Sequence, residues 1–224
     1  MMAEAGNNGR CLLISGGHVD QKTLTAIRES GPFHVVIAAD AGLQSCLEAD
    51  LLPDHIVGDF DSLPDADALL ARCRSGGSVI HRYRPEKDLT DTQIGVELAM
   101  RLGCTRVEVL GATGTRLDHF LGNLQVMELA LDRGVKMVIT DAHNRIHMHR
   151  EAFRIRQGAQ WGKYISLIPW GSDVTGLTLR GFRYPLTDAL LPRAGSLGIS
   201  NELTEAIGEV FLTGGTLIVI ESRD

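Results

Sequence analysis

The chain has 224 residues, of which 44% are hydrophobic and 22% are charged, and its formal net charge is −6. This composition is typical of a globular protein and excludes a wholly disordered or collagen-like chain. The negative charge does not favour non-specific nucleic-acid binding, which requires a basic surface. No apolar run approaches the roughly 18 residues of a membrane span, and the N-terminus lacks the apolar core of a signal peptide. We therefore expect a cytoplasmic protein with no membrane or nucleic-acid partner.

The four cysteines are Cys11, Cys46, Cys73 and Cys104, and no two of them form a Cys-x-x-Cys pair. This spacing suggests neither a disulfide framework nor a zinc knuckle. A chain of this length can bury an adequate core without such cross-links. Buried free thiols are therefore predicted.

The first 140 residues alternate short apolar segments with segments of helical periodicity. Strands are predicted at residues 11–14, 33–39, 55–57, 79–81, 107–110 and 136–140. A helix is predicted at 23–29, and two apolar stripes with helical spacing indicate further helices, namely Ile94, Leu98 and Leu102, and Phe120, Leu124, Met127 and Leu131. This alternation predicts an α/β domain with a mostly parallel sheet.

After Asp141 the pattern changes to short β-type segments joined by glycine-rich turns. Strands are predicted at residues 153–156, 164–168, 174–179, 183–186, 209–213 and 216–221. The sequence therefore predicts two domains. An α/β domain covers residues 10–141 and an all-β sandwich covers residues 142–224.

Six aspartates follow the predicted parallel strands: Asp40, Asp59, Asp61, Asp88, Asp91 and Asp118. Segments that follow parallel strands open at one edge of the sheet, where open α/β sheets bind ligands. Carboxylates crowded at such an edge repel one another unless a cation lies among them. Mg²⁺ prefers carboxylates, water and substrate phosphates, and the sequence contains no His/Cys cluster for a softer metal. A Mg²⁺ site is therefore predicted.

Residues 111–116 form a loop with two glycines, two threonines and Arg116. Its backbone amides and guanidinium group are suited to phosphate oxygens at the N-terminus of a helix. Together with Mg²⁺, this loop predicts phosphoryl transfer from a nucleotide. The G-x-x-x-x-G-K-[ST] pattern is absent, so the protein is not a P-loop enzyme.

Each of these residues also has a purely structural interpretation. Asp88 is compatible with a helix N-cap, and Asp91 and Asp118 with the first turn of a helix. The aspartates directly after the strands are typical of turns. Arg116 is compatible with an ion pair to a neighbouring carboxylate. The convergence of all these residues on one edge favours the functional interpretation.

Five motifs occur in a fixed order along the chain. They are Ala39-Asp-Ala-Gly42, Pro53 with Gly58-Asp-Phe-Asp-Ser62, Lys87-Asp-Leu-Thr-Asp91, Gly111-Ala-Thr-Gly-Thr-Arg-Leu-Asp-His119 with Asn123, and Gly198-Ile-Ser-Asn-Glu202. Together they resemble the thiamine pyrophosphokinase family over most of the chain. The resemblance implies an α/β catalytic domain, a C-terminal β-sandwich and a homodimer with thiamine bound between subunits. It also implies transfer of pyrophosphate from ATP to the hydroxyethyl oxygen of thiamine, with release of AMP.

The resemblance assigns roles to matching positions. Catalysis and Mg²⁺ binding are assigned to Asp59, Asp61, Asp88 and Asp91, with Asp91 as the expected proton acceptor. ATP binding is assigned to Asp40, Thr113, Arg116 and Asp118. Thiamine binding is assigned to Ser200, Asn201 and Tyr184. The structural alternatives are a plain turn between strands for Ser200 and Asn201, and core or surface packing for Tyr184. The family usually has Gly-Gly-Arg where this chain has Gly114-Thr115-Arg116, so nucleotide affinity is the property that Thr115 is expected to affect.

Other activities are compatible with the same edge of the sheet. These are a pyrophosphokinase for a pterin alcohol, a Mg²⁺-dependent phosphohydrolase and a non-catalytic sensor of a nucleotide or vitamin. The number of carboxylates disfavours the sensor, because a binding protein has no need of so many metal ligands. ATP, thiamine and a second copy of the chain are therefore the predicted partners.

Overall fold

The computed structural model of the chain describes residues 9–61, 63, 65–84 and 88–224. Ser62 of the Gly-Asp-Phe-Asp-Ser motif and Lys87 of the Lys-Asp-Leu-Thr-Asp motif lie outside the described residues. The chain forms two compact units, and the division falls between Ala142 and His143. The boundary predicted from the sequence lies between Asp141 and Ala142.

The first unit is built around a parallel sheet. Its strands are β1 (Arg10–Ile14), β2 (Val35–Ala39), β3 (His55–Gly58), β4 (Val79–Arg82), β5 (Arg106–Leu110) and β6 (Lys136–Thr140). They lie in the order β4-β3-β2-β1-β5-β6, and their pairings are parallel, as the alternating pattern predicts. Because β1 has β2 on one side and β5 on the other, the strand order reverses at β1. Open α/β sheets bind their ligands at such a reversal.

Five helices lie between these strands in the described part of the chain: α1 (Gln21–Glu29), α2 (Gly42–Glu48), α3 (Ala66–Ser75), α4 (Asp91–Arg101) and α5 (Leu117–Asp132). The predicted apolar stripes belong to α4 and α5, where Leu98, Leu124 and Met127 are buried. Leu102, the last residue of the first stripe, is instead the exposed C-cap of α4. The sequence does not predict α2 and α3, because each buries only two apolar side chains, Leu43 and Cys46 in α2 and Leu70 and Cys73 in α3, which is too few for a repeated stripe.

Strand β1 lies in the core of the first unit. Leu12, Leu13 and Ile14 are consecutive in β1 and fully buried, so both faces of this strand are covered. All four cysteines of the chain are buried free thiols, as predicted, and burial raises the pKa of the Cys46 thiol to about 12. Among the described residues, no helix has the length and apolar character that a membrane span requires.

The second unit consists of antiparallel strands. They are β7 (Asn144–His149), β8 (Phe153–Arg156), β9 (Tyr164–Arg180), β10 (Leu186–Leu191), β11 (Asn201–Glu202), β12 (Ile207–Phe211) and β13 (Gly214–Ser222). The first part of the long strand β9 pairs with β11, and its last part pairs with β12 in a second sheet. Side chains from both sheets form one core, which includes Leu167, Leu179, Val210 and Leu217.

Two strand predictions for this unit are wrong. Residues 164–168 and 174–179 are predicted as separate strands, but both belong to β9. Gly171 and Gly176 adopt positive φ angles of 74° and 63°, so the strand bends at its glycines without ending. Residues 183–186 are also predicted as a strand, but β10 begins only at Leu186. Pro185 has no N–H to donate to a ladder, which accounts for the later start. The sequence pattern does not predict β7 or the two-residue strand β11.

Candidate active site

Two glycine-containing loops meet where the strand order reverses. The Ser15 amide donates to Leu110 O at 2.8 Å, and the Gly17 amide donates to Gly111 O at 2.9 Å. A Cβ atom on Gly17 would lie 2.4 Å from Gly111 O, so a side chain at this position would separate the loops. Gly111 has a φ of 71°, which favours glycine. These glycines therefore hold the carboxyl ends of β1 and β5 close together.

A cavity of about 350 Å³ opens beside these loops, and all of its walls come from the first unit. Of the predicted site residues, Asp40, Asp91 and Arg116 line it. Thr113, Asp59, Asp61, Asp88 and Asp118 are not among its lining residues. The remaining walls are residues 15–17, Ala39, Thr90, Thr92, 111–112, 114–115, His119 and Asn123.

Three carboxylates cluster at the ends of β2 and β3. Asp40, Asp59 and Asp61 each offer an oxygen atom within 4.8 Å of the other two. Asp40 adopts a φ of 46°, a left-handed conformation that aspartate tolerates. A Cβ atom on Gly58 would lie 3.2 Å from Asp40 Cα, so glycine there allows the two strand ends to approach. Three oxygen ligands of this kind suit Mg²⁺.

The cluster differs in membership from the predicted metal set. It contains Asp59 and Asp61 as expected, but it adds Asp40, which the sequence assigns to ATP binding. Among the described residues, the carboxylate group within 4.8 Å does not include Asp88 or Asp91. The Asp61 amide also donates to Asp59 Oδ1 at 3.3 Å, so the turn interpretation of these aspartates applies at the same time. Asp40 belongs both to the cluster and to the cavity wall.

The N-terminus of α4 brings Asp91 to the cavity. Thr90 is the N-cap, and its side chain accepts a hydrogen bond from the Gln93 amide at 3.2 Å. The interpretation of Asp88 as the helix cap is therefore wrong, and Asp88 is an exposed residue before the helix. Asp91 lies in the first helical turn, where the helix dipole favours a negative charge.

Arg116 and Asp118 form an ion pair at the start of α5. Arg116 Nε donates to Asp118 Oδ1 at 3.2 Å, and Arg116 Nη2 donates to Asp118 Oδ2. The hydrogen bond from Arg116 lowers the pKa of the Asp118 carboxyl group. The ion-pair interpretation of Arg116 is thus confirmed. It does not exclude ligand binding, because this pair uses two of the five guanidinium N–H groups and both side chains are exposed.

Asn123 anchors the loop that carries Arg116. Its Nδ2 atom donates to Ala112 O at 2.9 Å, and the residue is buried within α5. Asn123 belongs to one of the five sequence motifs without a role predicted for it, and no motif contains Ser15 or Thr92, which also line the cavity. A signal for Ser15 is its position between a buried strand and two consecutive glycines.

The three residues assigned to thiamine lie together in the second unit. Asn201 Oδ1 accepts from the Tyr184 amide at 3.0 Å, and Asn201 Nδ2 donates to Tyr184 O at 2.8 Å. The neighbouring Ser200 has a φ of 58°, and its amide donates to Ser166 Oγ at 3.0 Å. Tyr184 is 58% exposed, so its ring does not belong to the core. Packing in the core is therefore excluded, whereas the alternative of surface packing agrees with the Arg183 guanidinium, which lies 5.7 Å from the centroid of the ring.

Comparison with known proteins agrees with the motifs. The family described as thiamin pyrophosphokinase, catalytic domain, matches residues 31–139, and the family described as thiamin pyrophosphokinase, vitamin B1 binding domain, matches residues 150–217. The chain belongs to the thiamine pyrophosphokinase family. The resemblance seen in the sequence is thereby confirmed.

Relatives of this family match most of the chain. Thiamine pyrophosphokinase from Bacillus subtilis is 34% identical over 188 residues, which are 84% of this chain and 87% of that protein. Thiamine pyrophosphokinase 2 from Arabidopsis thaliana is 28% identical, and the match covers 69% of this chain and 60% of the plant protein. The crystal structure of the Bacillus subtilis thiamine pyrophosphokinase has a TM-score of 0.84 at 30% identity and covers 96% of this chain and 99% of that one. The structure from Geobacillus thermodenitrificans has a TM-score of 0.83, also at 30% identity, and covers 96% of this chain and 98% of that one.

Proposed function

We propose that this protein is a thiamine pyrophosphokinase that transfers the pyrophosphoryl group of ATP to the hydroxyl oxygen of thiamine. Membership of the family supports this activity. The observation that most supports this site is the position of Asp40, which belongs both to the group of three carboxylates and to the wall of the glycine-lined cavity. A metal ion and a nucleotide would therefore be held next to each other.

Asp40, Asp59 and Asp61 are the residues that would hold Mg²⁺. When bound there, the metal neutralises negative charge on the phosphates of ATP. Arg116 supplies a second positive group at the cavity wall, and its exposed guanidinium has N–H groups beyond those bound to Asp118. Asp118 limits the movement of Arg116 through the two-point ion pair. Thr113 lies in the same loop, which the side chain of Asn123 anchors through the neighbouring Ala112.

The proposed reaction is a displacement at the β-phosphorus of ATP. The hydroxyl oxygen of thiamine forms the new bond to this phosphorus, and the bond from the phosphorus to the oxygen shared with the α-phosphate breaks. AMP leaves with that oxygen. Asp91 lines the cavity and is the proposed acceptor of the hydroxyl proton. Asp88, exposed just before α4, is proposed to assist in orienting the phosphates.

Thiamine is proposed to bind to the second unit. The exposed ring of Tyr184 offers a surface on which an aromatic ring or a thiazolium cation can stack. Asn201 fixes the backbone of Tyr184, and Ser200 is its immediate neighbour. We also propose a cytoplasmic homodimer, which is the assembly and location that the family resemblance implies.

The test is a product analysis with ATP, Mg²⁺ and thiamine. We expect AMP and thiamine diphosphate in equal amounts, resolved by ³¹P NMR and liquid chromatography. ADP as the nucleotide product would exclude pyrophosphoryl transfer. AMP with free pyrophosphate and no thiamine diphosphate would identify a phosphohydrolase instead. A parallel reaction with a pterin alcohol should give no diphosphate ester.

A further inference from the structure

Two buried hydroxyl groups meet at the wall of the cavity. Ser15 follows β1 and Thr92 lies in the first turn of α4, and Ser15 Oγ is 2.6 Å from Thr92 Oγ1. The residues are only 6% and 7% exposed, yet both line the cavity. The contact joins two segments that are 77 positions apart in the sequence.

The hydrogen bond between these groups leaves one hydroxyl hydrogen unused. Two hydroxyl groups carry two hydrogens, and the bond between their oxygens uses one of them. Among the residues that the structure describes, neither hydroxyl makes a hydrogen bond to any third group. Buried donors of this kind normally have a partner, so the second hydrogen is available to a molecule in the cavity.

We propose that Ser15 and Thr92 act as a hydroxyl dyad that donates a hydrogen bond to an oxygen atom of the nucleotide bound in this cavity. One hydroxyl donates its hydrogen to the nucleotide, and the other hydroxyl donates the 2.6 Å bond to the oxygen of the first and so fixes its orientation. The inference rests on the proposed function, because the cavity must bind a nucleotide. The accepting oxygen belongs either to AMP or to the pyrophosphoryl group, and both offer oxygen acceptors.

The location of the dyad agrees with this role. Ser15 lies at the reversal of the strand order, and its amide is already bonded to Leu110 O, so its backbone is fixed. Thr92 is adjacent to Asp91, the proposed proton acceptor, and Thr90 caps the same helix turn. The dyad is therefore held rigidly on two elements, as a binding group requires.

The chain offers a matched control in the same unit. Ser78 is also a buried serine, 5% exposed, and its hydroxyl donates to Pro53 O at 2.6 Å. It does not line the cavity. Ser78→Ala therefore removes a buried serine hydroxyl bond of the same length without touching the nucleotide.

The experiment measures dissociation constants for AMP and for pyrophosphate by calorimetry, in the presence of Mg²⁺ and without thiamine. We expect Ser15→Ala and Thr92→Val each to weaken binding of at least one of these ligands by about tenfold, because each removes the donor or the group that orients it. The double variant should lose less than the product of the two single effects, since both act on one hydrogen bond. Weaker binding of AMP alone would assign the accepting oxygen to AMP. Weaker binding of pyrophosphate would assign it to the transferred pyrophosphoryl group.

Ser78→Ala should bind both ligands like the wild type even where its melting temperature falls. Thr92→Ser keeps the hydroxyl group and should retain affinity, which separates the hydrogen bond from the fold if Thr92→Val is unstable. Unchanged affinity for both ligands in Ser15→Ala and Thr92→Val, with lowered melting temperatures, would show that the pair is only structural. A wild-type protein that binds neither ligand would instead overturn the proposed function, and the dyad with it.

Discussion

Asn201 holds Tyr184 through both ends of its side-chain amide. The Oδ1 atom accepts from the Tyr184 N–H at 3.0 Å, and the Nδ2 atom donates to the Tyr184 carbonyl at 2.8 Å. Asn201 Oδ1 also accepts from the Glu202 amide at 2.9 Å. Asn201 is buried while Tyr184 is exposed, so the pair joins a fixed backbone to an accessible ring. Asn201, which the family resemblance assigns to thiamine binding, therefore also has a structural role.

This relationship predicts different effects for substitutions at the two positions. Asn201→Ala should lower the free energy of unfolding by about 1–3 kcal/mol, because it removes three hydrogen bonds to partly buried backbone groups of Tyr184 and Glu202. Tyr184→Ala should change it by less than about 0.5 kcal/mol, since its hydrogen bonds are made by the backbone. Tyr184→Ala should nevertheless weaken thiamine binding, and Tyr184→Phe should retain it. Urea unfolding and thiamine calorimetry measure the two properties separately. Wild-type affinity in Tyr184→Ala would remove this ring from the thiamine site.

The proposed metal ligands can be tested at a position with unusual backbone geometry. Asp40 has a φ of 46°, and asparagine tolerates this conformation as well as aspartate does. Asp40→Asn should therefore preserve the fold and remove one negative charge from the cluster. We expect a higher Mg²⁺ concentration for half-maximal activity and a lower maximal rate. The measurement is a Mg²⁺ titration of initial rates.

Asp50→Asn is the control for this experiment. Asp50 has a φ of 49°, is exposed and does not belong to the carboxylate cluster. The same chemical change in the same backbone conformation should leave the Mg²⁺ titration unchanged. If the Asp40 and Asp50 variants behave alike, Asp40 is not a metal ligand.

The sequence predicts the strands of the first unit well because their signal is local. A buried parallel strand is a short apolar run, and each predicted run is present in the sheet. The grouping of Asp40 with Asp59 and Asp61 is harder to predict, because it depends on how closely β2 and β3 approach at Gly58. The pairing of Ser15 with Thr92 joins two elements that are remote in sequence, so no local pattern reveals it. In the second unit, glycines that usually mark turns instead bend β9.

Glycines also provide a test of packing near the cavity. A Cβ atom on Gly42 at the start of α2 would lie 2.1 Å from Ile14 O, so α2 must move away from β1 in Gly42→Ala. We expect a loss of stability of roughly 1–3 kcal/mol or more. A Cβ atom on Gly122 in α5 would have no other atom within 4 Å, so Gly122→Ala should raise the free energy of unfolding by about 0.5–1 kcal/mol. The measurement is the melting temperature of both variants. A shift in the same direction for Gly42→Ala and Gly122→Ala would contradict this account.

The carboxyl group of Glu221 should make the stability of the fold depend on pH. Burial alone would raise the pKa of Glu221, but hydrogen bonds from His147 Nε2 at 3.0 Å and from the Trp161 amide at 2.6 Å leave this pKa below its ordinary value of 4.5. The ionised carboxylate therefore stabilises the fold above about pH 4.5, and this contribution is lost as the pH falls through the lowered pKa. Glu221→Gln should lower the free energy of unfolding at neutral pH by about 1–3 kcal/mol. It should also reduce the loss of stability between pH 4.5 and lower pH, which we call the acid limb of the stability profile.

Glu209→Gln is the matched control for Glu221. Glu209 is also in the second unit, but its partner Arg154 has a side chain that is 71% exposed. Such a pair contributes about 0–1 kcal/mol, so this substitution should leave both the stability and its pH profile nearly unchanged. An acid limb of equal steepness in the wild type and in Glu221→Gln would assign the pH dependence to other groups.

The last prediction concerns the proposed homodimer, in which the family resemblance implies that thiamine is bound between subunits. Asp61→Asn alters the proposed metal site, and Tyr184→Ala alters the proposed thiamine site. Each homodimer should be nearly inactive at low thiamine concentration. Co-refolding equal amounts makes about half of the dimers mixed, and each mixed dimer has one intact and one doubly altered site if the sites are shared. Activity should then return to ~25% of the wild-type value. Sites built within single chains would leave one lesion in every site and restore no activity, even with mixed dimers confirmed by native mass spectrometry.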